Sequence, residues 1–175
     1  AADSGRMATT VVRPRAIVGP DDRVILPRLA ELARRRRIPL IRNGRALIEL
    51  TDVRDAAEAI LCAEAEIASV HGRAVNVSGG HPLSVREVAL ALAASLGYAP
   101  ELTRVPLSLA WVAAVAAELT ASGGRRPEPI LTRYTLATLA CSQTFDMEET
   151  ARLIGFHPRH DGLAALLSAA ASLKR

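Results

Sequence analysis

The chain has 175 residues, of which 50% are hydrophobic and 23% charged, and its formal net charge is +4. This length and composition are typical of a globular protein with a sizeable core, and they exclude a disordered chain. The two cysteines lie far apart among apolar residues, which excludes a dense disulfide framework and favours a reducing, cytoplasmic location.

The first predicted element is a strand over residues 9–13. Its Thr-Thr-Val-Val run is β-branched without polar alternation, which is typical of a buried parallel strand covered on both faces. The run breaks at an Arg-Pro step, so we expect it to lead into a loop at residues 14–17. A parallel sheet needs partner strands and crossover helices, which the eight preceding residues do not supply. We therefore expect this chain to be the C-terminal portion of a longer fold.

Two helices and two short strands are predicted from residue 21 onward, and the second helix includes residues 53–61. Asp21 or Asp22 caps the first helix, and Thr51 or Asp52 caps the second. The strands lie at 38–42 and 47–50, on either side of an Asn-Gly turn. The expected inward-facing residues are Ile25, Leu29, Leu32 and Ala33 in the first helix and Val53, Ala57, Ile60 and Leu61 in the second.

A further strand is predicted at 73–77, and a capping box of Ser84 and Glu87 then begins a helix that Gly97 ends. A short strand is predicted at 102–105. The apolar helix at 107–121 contains Trp111 and is interpreted as a core or pocket-wall helix, with a helix on a membrane surface as the alternative. Residues 122–129 form a predicted linker. Three more helices are predicted, at 130–140, 146–154 and 161–173.

Positive charge is concentrated near the N-terminus, where residues 1–45 hold 11 arginines and four acidic residues. Residues 34–37 form one arginine block. Nucleic-acid binding through this block is one hypothesis, but only 3% of residues are aromatic and no known reader motif accompanies it. We favour a solvated helix end, where cations complement the C-terminal dipole. No segment is apolar for the length that a membrane span needs.

Four segments carry a resemblance to a known family. They are Arg13-Pro14-Arg15-Ala16-Ile17-Val18-Gly19-Pro20, Leu47-Ile48-Glu49-Leu50-Thr51-Asp52-Val53-Arg54-Asp55, Val75-Asn76-Val77, and Phe145-Asp146 with Leu153-Ile154-Gly155-Phe156-His157-Pro158. In this order they resemble the C-terminal half of an extended short-chain dehydrogenase/reductase, the NAD(P)-dependent epimerase/dehydratase superfamily. The resemblance implies an α/β fold: the C-terminal part of a doubly wound parallel Rossmann-type sheet with a smaller, mostly helical substrate domain.

The resemblance also implies a division into two parts and a set of site residues. Residues 1–80 would complete the dinucleotide-binding domain and contribute substrate-pocket segments, and residues 81–175 would form the substrate-binding domain. The implied cofactor is NAD or NADP, contacted here only at its nicotinamide end. The expected cofactor-binding residues are Pro14, Arg15, Ala16 and Ile17, and the expected substrate-binding residues are Leu26, Arg28, Arg45 and Thr51.

Two signatures of the family are absent from this sequence. Its glycines form no glycine-rich phosphate-binding pattern, and its one lysine, Lys174, does not follow Tyr98 or Tyr134 at the Tyr-x-x-x-Lys spacing. We therefore expect no catalytic residue in this chain and no hydride transfer by it alone. A missing N-terminal half or a second copy of the chain is the expected protein partner.

Two branches of the family are weighed against each other. Sugar-nucleotide enzymes would place diphosphate contacts at Ala16 and Ile48, whose side chains offer neither donors nor charge. Residues 47–55, 131–134 and 143–146 instead resemble 3β-hydroxysteroid dehydrogenases and reductases of long-chain β-keto acids. We therefore predict an apolar, sterol-like or long-chain substrate, with a sugar-nucleotide epimerase or dehydratase, or a non-catalytic dinucleotide-sensing module, as alternatives.

The remaining polar residues carry weaker signals. The four histidines lie at predicted turns without the spacing of metal ligands, and no histidine is placed to activate Ser84 as a nucleophile. We therefore expect neither a metal site nor a nucleic-acid partner. Peripheral contact with a membrane remains an alternative.

Overall fold

The computed structural model describes residues 7–121 and 132–173, in which helices and short strands alternate along the chain. The strands are β1 (Val11–Pro14), β2 (Ile17–Val18), β3 (Arg37–Ile41), β4 (Leu47–Ile48), β5 (Thr51–Asp52), β6 (Ala74–Val77), β7 (Leu83–Ser84) and β8 (Glu101–Val105). The helices are α1 (Ile25–Ala33), α2 (Val53–Ala65), α3 (Ile67–Val70), α4 (Val85–Leu96), α5 (Leu107–Ala121), α6 (Arg133–Ala140), α7 (Met147–Ile154) and α8 (Gly162–Ser172).

The strands form pairs, and three of the four pairs are parallel. β1 pairs with β6, β2 with β5 and β3 with β8, all in parallel, whereas β4 and β7 are antiparallel. Parallel pairs need crossover connections, and here each crossover contains at least one helix. The predicted α/β class is confirmed.

The first strand begins at a later residue than predicted, and its side chains are less buried than predicted. It starts at Val11 rather than Thr9, and Thr10 instead donates its hydroxyl to the Arg73 carbonyl at 3.1 Å. The Val11 side chain is 53% exposed, because β6 is the one strand that pairs with β1 among the described residues. Among the described residues β1 is therefore covered only in part: Val12 packs against a core cluster, whereas Val11 is exposed.

Most predicted helix ends are confirmed by their caps. The Asp22 carboxylate accepts hydrogen bonds from the amides that begin α1, and Asp52 caps α2. The capping box at the start of α4 is complete, with the Ser84 hydroxyl accepting from the Glu87 amide at 3.1 Å and the Glu87 carboxylate accepting from the Ser84 amide at 2.7 Å. Gly97 ends the helix at φ +84°. Helix α3 was not predicted.

The predicted inward face of α1 is confirmed in part, since Ala33 is buried and Ile25 and Leu29 pack against the core, whereas the predicted inward face of α2 is wrong. α1 buries Leu26, Ala30 and Ala33, and α2 buries Asp55, Ala56, Ala59 and Ala63. The expected inward residues of α2 are exposed, and Leu61 is 64% accessible. Small alanines lie on the packed face of α2, so the helix comes close to its neighbours, and the larger apolar side chains point away from them.

The core consists of three clusters of buried side chains. The first joins α1, α4 and α8, and the second packs α2 and α7 against β6. The third, smaller cluster joins Ile41 to α5 and α6. Its members are Ile41, Ala110, Ala114, Leu136 and Ala140.

The backbones of two glycines pack closely against the residue that precedes β5, Leu50. A Cβ atom at Gly79, after β6, would clash with the Leu50 carbonyl oxygen. A Cβ atom at Gly162, the first residue of α8, would clash with the same oxygen. Only glycine lets both backbones approach this carbonyl, so the pair fixes the position of the Leu50–Thr51 peptide.

The fully buried carboxylate of Asp55 connects α2 to the segment that precedes α8. Asp55 accepts hydrogen bonds from the backbone amides of Arg159 and His160 at 3.2 and 3.0 Å, and its other oxygen lies 2.5 Å from His160 Nδ1. A buried carboxylate costs free energy unless its oxygens are paired. Here both oxygens have partners, so this cluster fixes how the C-terminal helix joins the rest of the fold.

Helix α5 has the predicted bounds but is not a core helix. It buries only Ala110 and Ala114, whereas Trp111 is 47% exposed and Leu109 is 61% exposed. No helix in the described ranges has the length and apolar character that crossing a bilayer requires. The predicted linker at 122–129, the predicted start of α6 at residue 130, and Lys174 lie outside the described residues.

We expect Asp55→Asn to lower the free energy of unfolding by about 2–4 kcal/mol, because the amide leaves buried donors without a matching acceptor. Urea denaturation measures this change. The matched control is Glu58→Gln, which removes the 3.1 Å ion pair of Glu58 with the exposed Arg159. That surface pair should cost below about 1 kcal/mol. Equal losses in the two variants would contradict the role assigned to Asp55.

Candidate functional site

The loop between β1 and β2 is held on two sides by backbone and hydroxyl groups. The Arg15 amide donates to the Val77 carbonyl at 2.8 Å, at the end of β6. On the other side the Thr51 amide donates to the Ala16 carbonyl at 3.1 Å, and the Thr51 hydroxyl donates to the Arg15 carbonyl. Thr51 is fully buried, so this loop is fixed from inside the fold.

This loop also contains a strained backbone. Ala16 has φ +40°, a value in the left-handed region that residues with a Cβ atom rarely adopt. Such strain persists where the surroundings over-determine the conformation, and it is concentrated at binding and active sites. The hydrogen bonds from Thr51 and to Val77 are those surroundings here.

One side-chain atom in the loop is buried without a partner. The Nε atom of Arg15 has no hydrogen-bond acceptor among the described residues, and it is buried. A buried donor without a partner costs free energy, so native proteins rarely retain one. A ligand carbonyl, such as that of a carboxamide, would supply the missing acceptor. These residues fit the nicotinamide end of the implied cofactor.

The residue after Thr51 makes the most strongly charged contact of this region. The buried Asp52 carboxylate caps α2 through the Arg54 amide at 2.8 Å and pairs with the Arg54 guanidinium at 2.9 and 2.7 Å. The hydrogen-bonded Arg54 guanidinium holds the pKa of Asp52 below its ordinary value. Asp52 is therefore charged at neutral pH, and the start of α2 is fixed beside the loop.

A second feature is a cationic cavity of about 400 Å³. Its lining consists of Arg42, Asn43, Arg45, Arg104, Val105 and Pro106. Asn43 Oδ1 accepts a long, 3.4 Å hydrogen bond from Arg104 Nε. None of the three arginines forms an ion pair with a carboxylate in the described part of the chain.

The structure brings some of the predicted site residues together. Pro14, Arg15, Ala16 and Ile17 form the held loop, and Thr51 contacts it directly. Leu26 is buried in the core cluster against which Ala16 packs. Arg28 lies half-buried on α1, and Arg45 lines the cationic cavity. The cofactor and substrate roles of these residues stay predictions.

Sequence reasoning missed Arg104 and the pairing of Asp55 with His160. The parallel register of β3 and β8 places Leu40 opposite Arg104, so Arg42 lies just beyond the strand end on the same side of the fold. No local pattern in the sequence reveals this long-range pairing. The sequence does contain one signal for this cavity, the Arg42-Asn43-Gly44-Arg45 segment, in which two arginines flank an Asn-Gly turn.

Comparisons with known proteins agree with this architecture. Residues 1–78 match the NAD dependent epimerase/dehydratase family. The chain is 33% identical over 180 residues to a 2-alkyl-3-oxoalkanoate reductase of Stenotrophomonas maltophilia, covering 98% of the chain and 54% of that protein. It is 28% identical over 164 residues to a 3beta-hydroxysteroid-dehydrogenase/decarboxylase of Arabidopsis thaliana, covering 87% of the chain and 37% of that protein.

The fold is also found among solved structures. A UDP-galactose 4-epimerase superimposes with a TM-score of 0.61 at 20% identity, covering 94% of this chain and 45% of that one. At this identity the likeness concerns the fold alone, which is of the Rossmann type. The chain spans about half the length of the curated relatives it matches.

We expect Thr51→Val to lower the free energy of unfolding by about 1–2 kcal/mol, because the Arg15 carbonyl loses its hydroxyl donor. The change should also speed amide hydrogen exchange at Ala16 and Ile17. Thr10→Val is the matched control, since Thr10 also donates its hydroxyl to a carbonyl but at an exposed position. If both variants leave exchange in the loop unchanged, Thr51 does not hold it.

The contribution of Asp52 to the free energy of unfolding should depend on pH. Its pKa is lowered in the folded protein, so the stabilisation is present above the unfolded pKa of about 3.9 and is lost as the pH falls through the lower folded value. Unfolding free energies measured between about pH 7 and pH 2 should therefore converge for the wild type and Asp52→Asn. Curves that stay parallel down to the most acidic point would contradict this.

Proposed function

We propose a function that starts from one premise: residues 1–78 belong to the NAD dependent epimerase/dehydratase family, and the rest of the chain continues the fold of its oxidoreductase members. On this premise the chain is the substrate-side part of an NAD(P)-dependent oxidoreductase. The complete protein would exchange hydride with a secondary alcohol or ketone on an apolar substrate. This chain alone would be inactive.

One observation carries the proposal: the loop at residues 14–17 is held in a strained conformation around a buried donor, Arg15 Nε, that has no acceptor among the residues that the structure describes. The nicotinamide group supplies the hydride chemistry when it is bound. The chain would hold it through Pro14, Arg15, Ala16 and Ile17. Arg15 Nε would donate to the carboxamide oxygen, and Thr51 would keep the loop carbonyls in place.

The names of the relatives support an apolar substrate. One of them reduces a 2-alkyl-3-oxoalkanoate and another is a 3beta-hydroxysteroid dehydrogenase, and both names describe carbon-rich substrates. We propose that Leu26, Arg28, Arg45 and Thr51 contribute to the substrate pocket. The division into a dinucleotide-binding part (residues 1–80) and a substrate-binding part (81–175) belongs to the same proposal, as does completion of the site by an N-terminal half or a second copy.

A sugar-nucleotide epimerase or dehydratase is the second candidate function. The likeness to a UDP-galactose 4-epimerase favours it at the level of the fold. Against it, Ala16 and Ile48 provide neither donors nor charge for a diphosphate. A non-catalytic dinucleotide-sensing module is the third candidate, and it predicts nucleotide binding without turnover.

The test is an activity assay on the protein extended upstream to the length of its relatives. We expect NADH or NADPH to be oxidised in the presence of long-chain 3-oxo acids or 3-oxosteroids, followed as the loss of nicotinamide absorbance. The 175-residue chain should show no turnover with the same mixtures. Turnover of UDP-sugars alone would replace the proposal with the second candidate function.

Arg15→Gln in the extended protein should raise the KM for the nicotinamide nucleotide by about tenfold, since one charge-assisted hydrogen bond is lost. Arg13→Gln is the matched control, because Arg13 lies in the same segment with an exposed side chain. Equal KM values in the two variants would remove Arg15 from the cofactor site.

A further inference from the structure

The cationic cavity lies between the end of β3 and the start of α5. Its lining includes no residue of the loop at 14–17, to which the proposed function assigns the cofactor. Its position follows from the parallel register of β3 and β8, in which Leu40 lies opposite Arg104 and Ile41 opposite Val105. Arg42 follows immediately after β3, and Arg45 lies at the end of the next turn. Two strand ends and one turn therefore bring three guanidinium groups around one cavity of about 400 Å³.

Within the described part of the chain, no carboxylate balances the charges of this cavity. Its lining contains no aspartate or glutamate, and its three arginines have no carboxylate partner among residues 7–121 and 132–173. Other arginines of the chain are paired, including Arg37 with Glu101 at 3.1 Å and Arg133 with Glu118 at 2.7 Å. Like charges around one cavity repel each other, so a bound anion would stabilise the arrangement.

The turn that presents two of these arginines is strained. Arg42 and Asn43 have φ values of +49° and +63°, and Gly44 follows at +68°. Three consecutive residues in the left-handed region turn the chain sharply, and Arg42 and Arg45 on either side of the Asn-Gly pair line the same cavity. Gly44 packs closely against Arg86 and Leu40, which holds the turn against the fold.

An apolar surface begins where the cationic cavity ends. Val105 and Pro106 line the cavity, and α5 starts at the next residue. Leu109, Val112 and Leu119 lie on one outward stripe of α5 at spacings of three and seven residues and are among the most exposed apolar side chains of the chain. The cavity lining is therefore followed directly along the chain by a helix with exposed apolar side chains, a combination that would suit a ligand with an anionic head and an apolar tail.

We propose that Arg42, Arg45 and Arg104 form a carboxylate subsite for the head group of an amphiphilic substrate, whose apolar chain lies along α5. This inference deepens the proposed function, and it rests on that function for the identity of the ligand as substrate. It narrows the substrate class from apolar compounds in general to long-chain acids. Arginine suits this task because its planar fork donates two parallel hydrogen bonds to one carboxylate.

Isothermal titration calorimetry of the 175-residue chain with decanoate, without nicotinamide nucleotide, tests the subsite separately from turnover. Methyl decanoate keeps the chain but lacks the charge, and acetate keeps the charge but lacks the chain. We expect decanoate to bind at least about tenfold more tightly than either, since both parts of the ligand contribute. Inorganic phosphate, UDP and anionic lipid vesicles complete the set of ligands.

Arg104→Gln and Arg45→Gln should each weaken decanoate binding by about tenfold, and Arg104→Lys by less, because it keeps the charge and loses the planar fork. Arg34→Gln is the matched control, since Arg34 is an exposed arginine in the block at 34–37. It should leave the affinity unchanged. Because all these side chains lie on the surface, thermal unfolding should be alike in every variant.

Several results would overturn the inference. Equal affinity for decanoate and its methyl ester would show that the anionic head does not contribute to binding. If Arg34→Gln weakened decanoate binding as much as the cavity variants do, the effect would be a general attraction to positive charge. Tighter binding of UDP would assign the cavity to a nucleotide, and binding only to vesicles would assign it to a membrane surface. A failure of this test leaves the activity of the extended protein to be measured on its own, so the two proposals fail separately.

Discussion

The structure depends on one crowded crossing, where the Leu50–Thr51 peptide passes between three other segments. Gly79 and Gly162 press their backbones against the Leu50 carbonyl, and Thr51 donates from its amide and its hydroxyl to the loop at residues 14–17. Immediately afterwards Asp52 caps α2. Because backbone approaches without a Cβ atom leave little room for adjustment, this crossing sets the positions of the strands, the helix and the loop relative to one another.

This constraint connects the fold to the chemistry. A loop with a positive φ at Ala16, and with an Arg15 Nε that has no partner in the described ranges, would relax if its surroundings were soft. It is instead fixed from the buried side by Thr51 and from the strand side by Val77. A binding surface whose donors are fixed before the ligand arrives loses less entropy on binding, which is what a cofactor contact requires. The cationic cavity is likewise fixed, in its case by the β3–β8 register.

Local chemistry allowed much of the fold to be predicted from the sequence, whereas long-range contacts did not. Ser84 with Glu87, Asp52 and Gly97 act on neighbours within four residues, so their roles were visible in the sequence. The packed face of α2 was mispredicted because the choice of face depends on neighbours distant in the chain. For the same reason Arg104 escaped notice, since only the pairing of β3 with β8 brings it to Arg42. The loop at 14–17 was predicted through family resemblance, whereas the positive φ of Ala16 is visible only in the structure.

The central claim is that the loop at residues 14–17 binds the nicotinamide end of a dinucleotide once the fold is complete. Backbone amide NMR of the extended protein, titrated with NADH and NADPH, tests it most directly. The account predicts saturable shifts at Arg15, Ala16 and Ile17 and at Thr51, with none at the exposed face of α8. Saturable nucleotide binding that leaves the amides of residues 14–17 unmoved would contradict it.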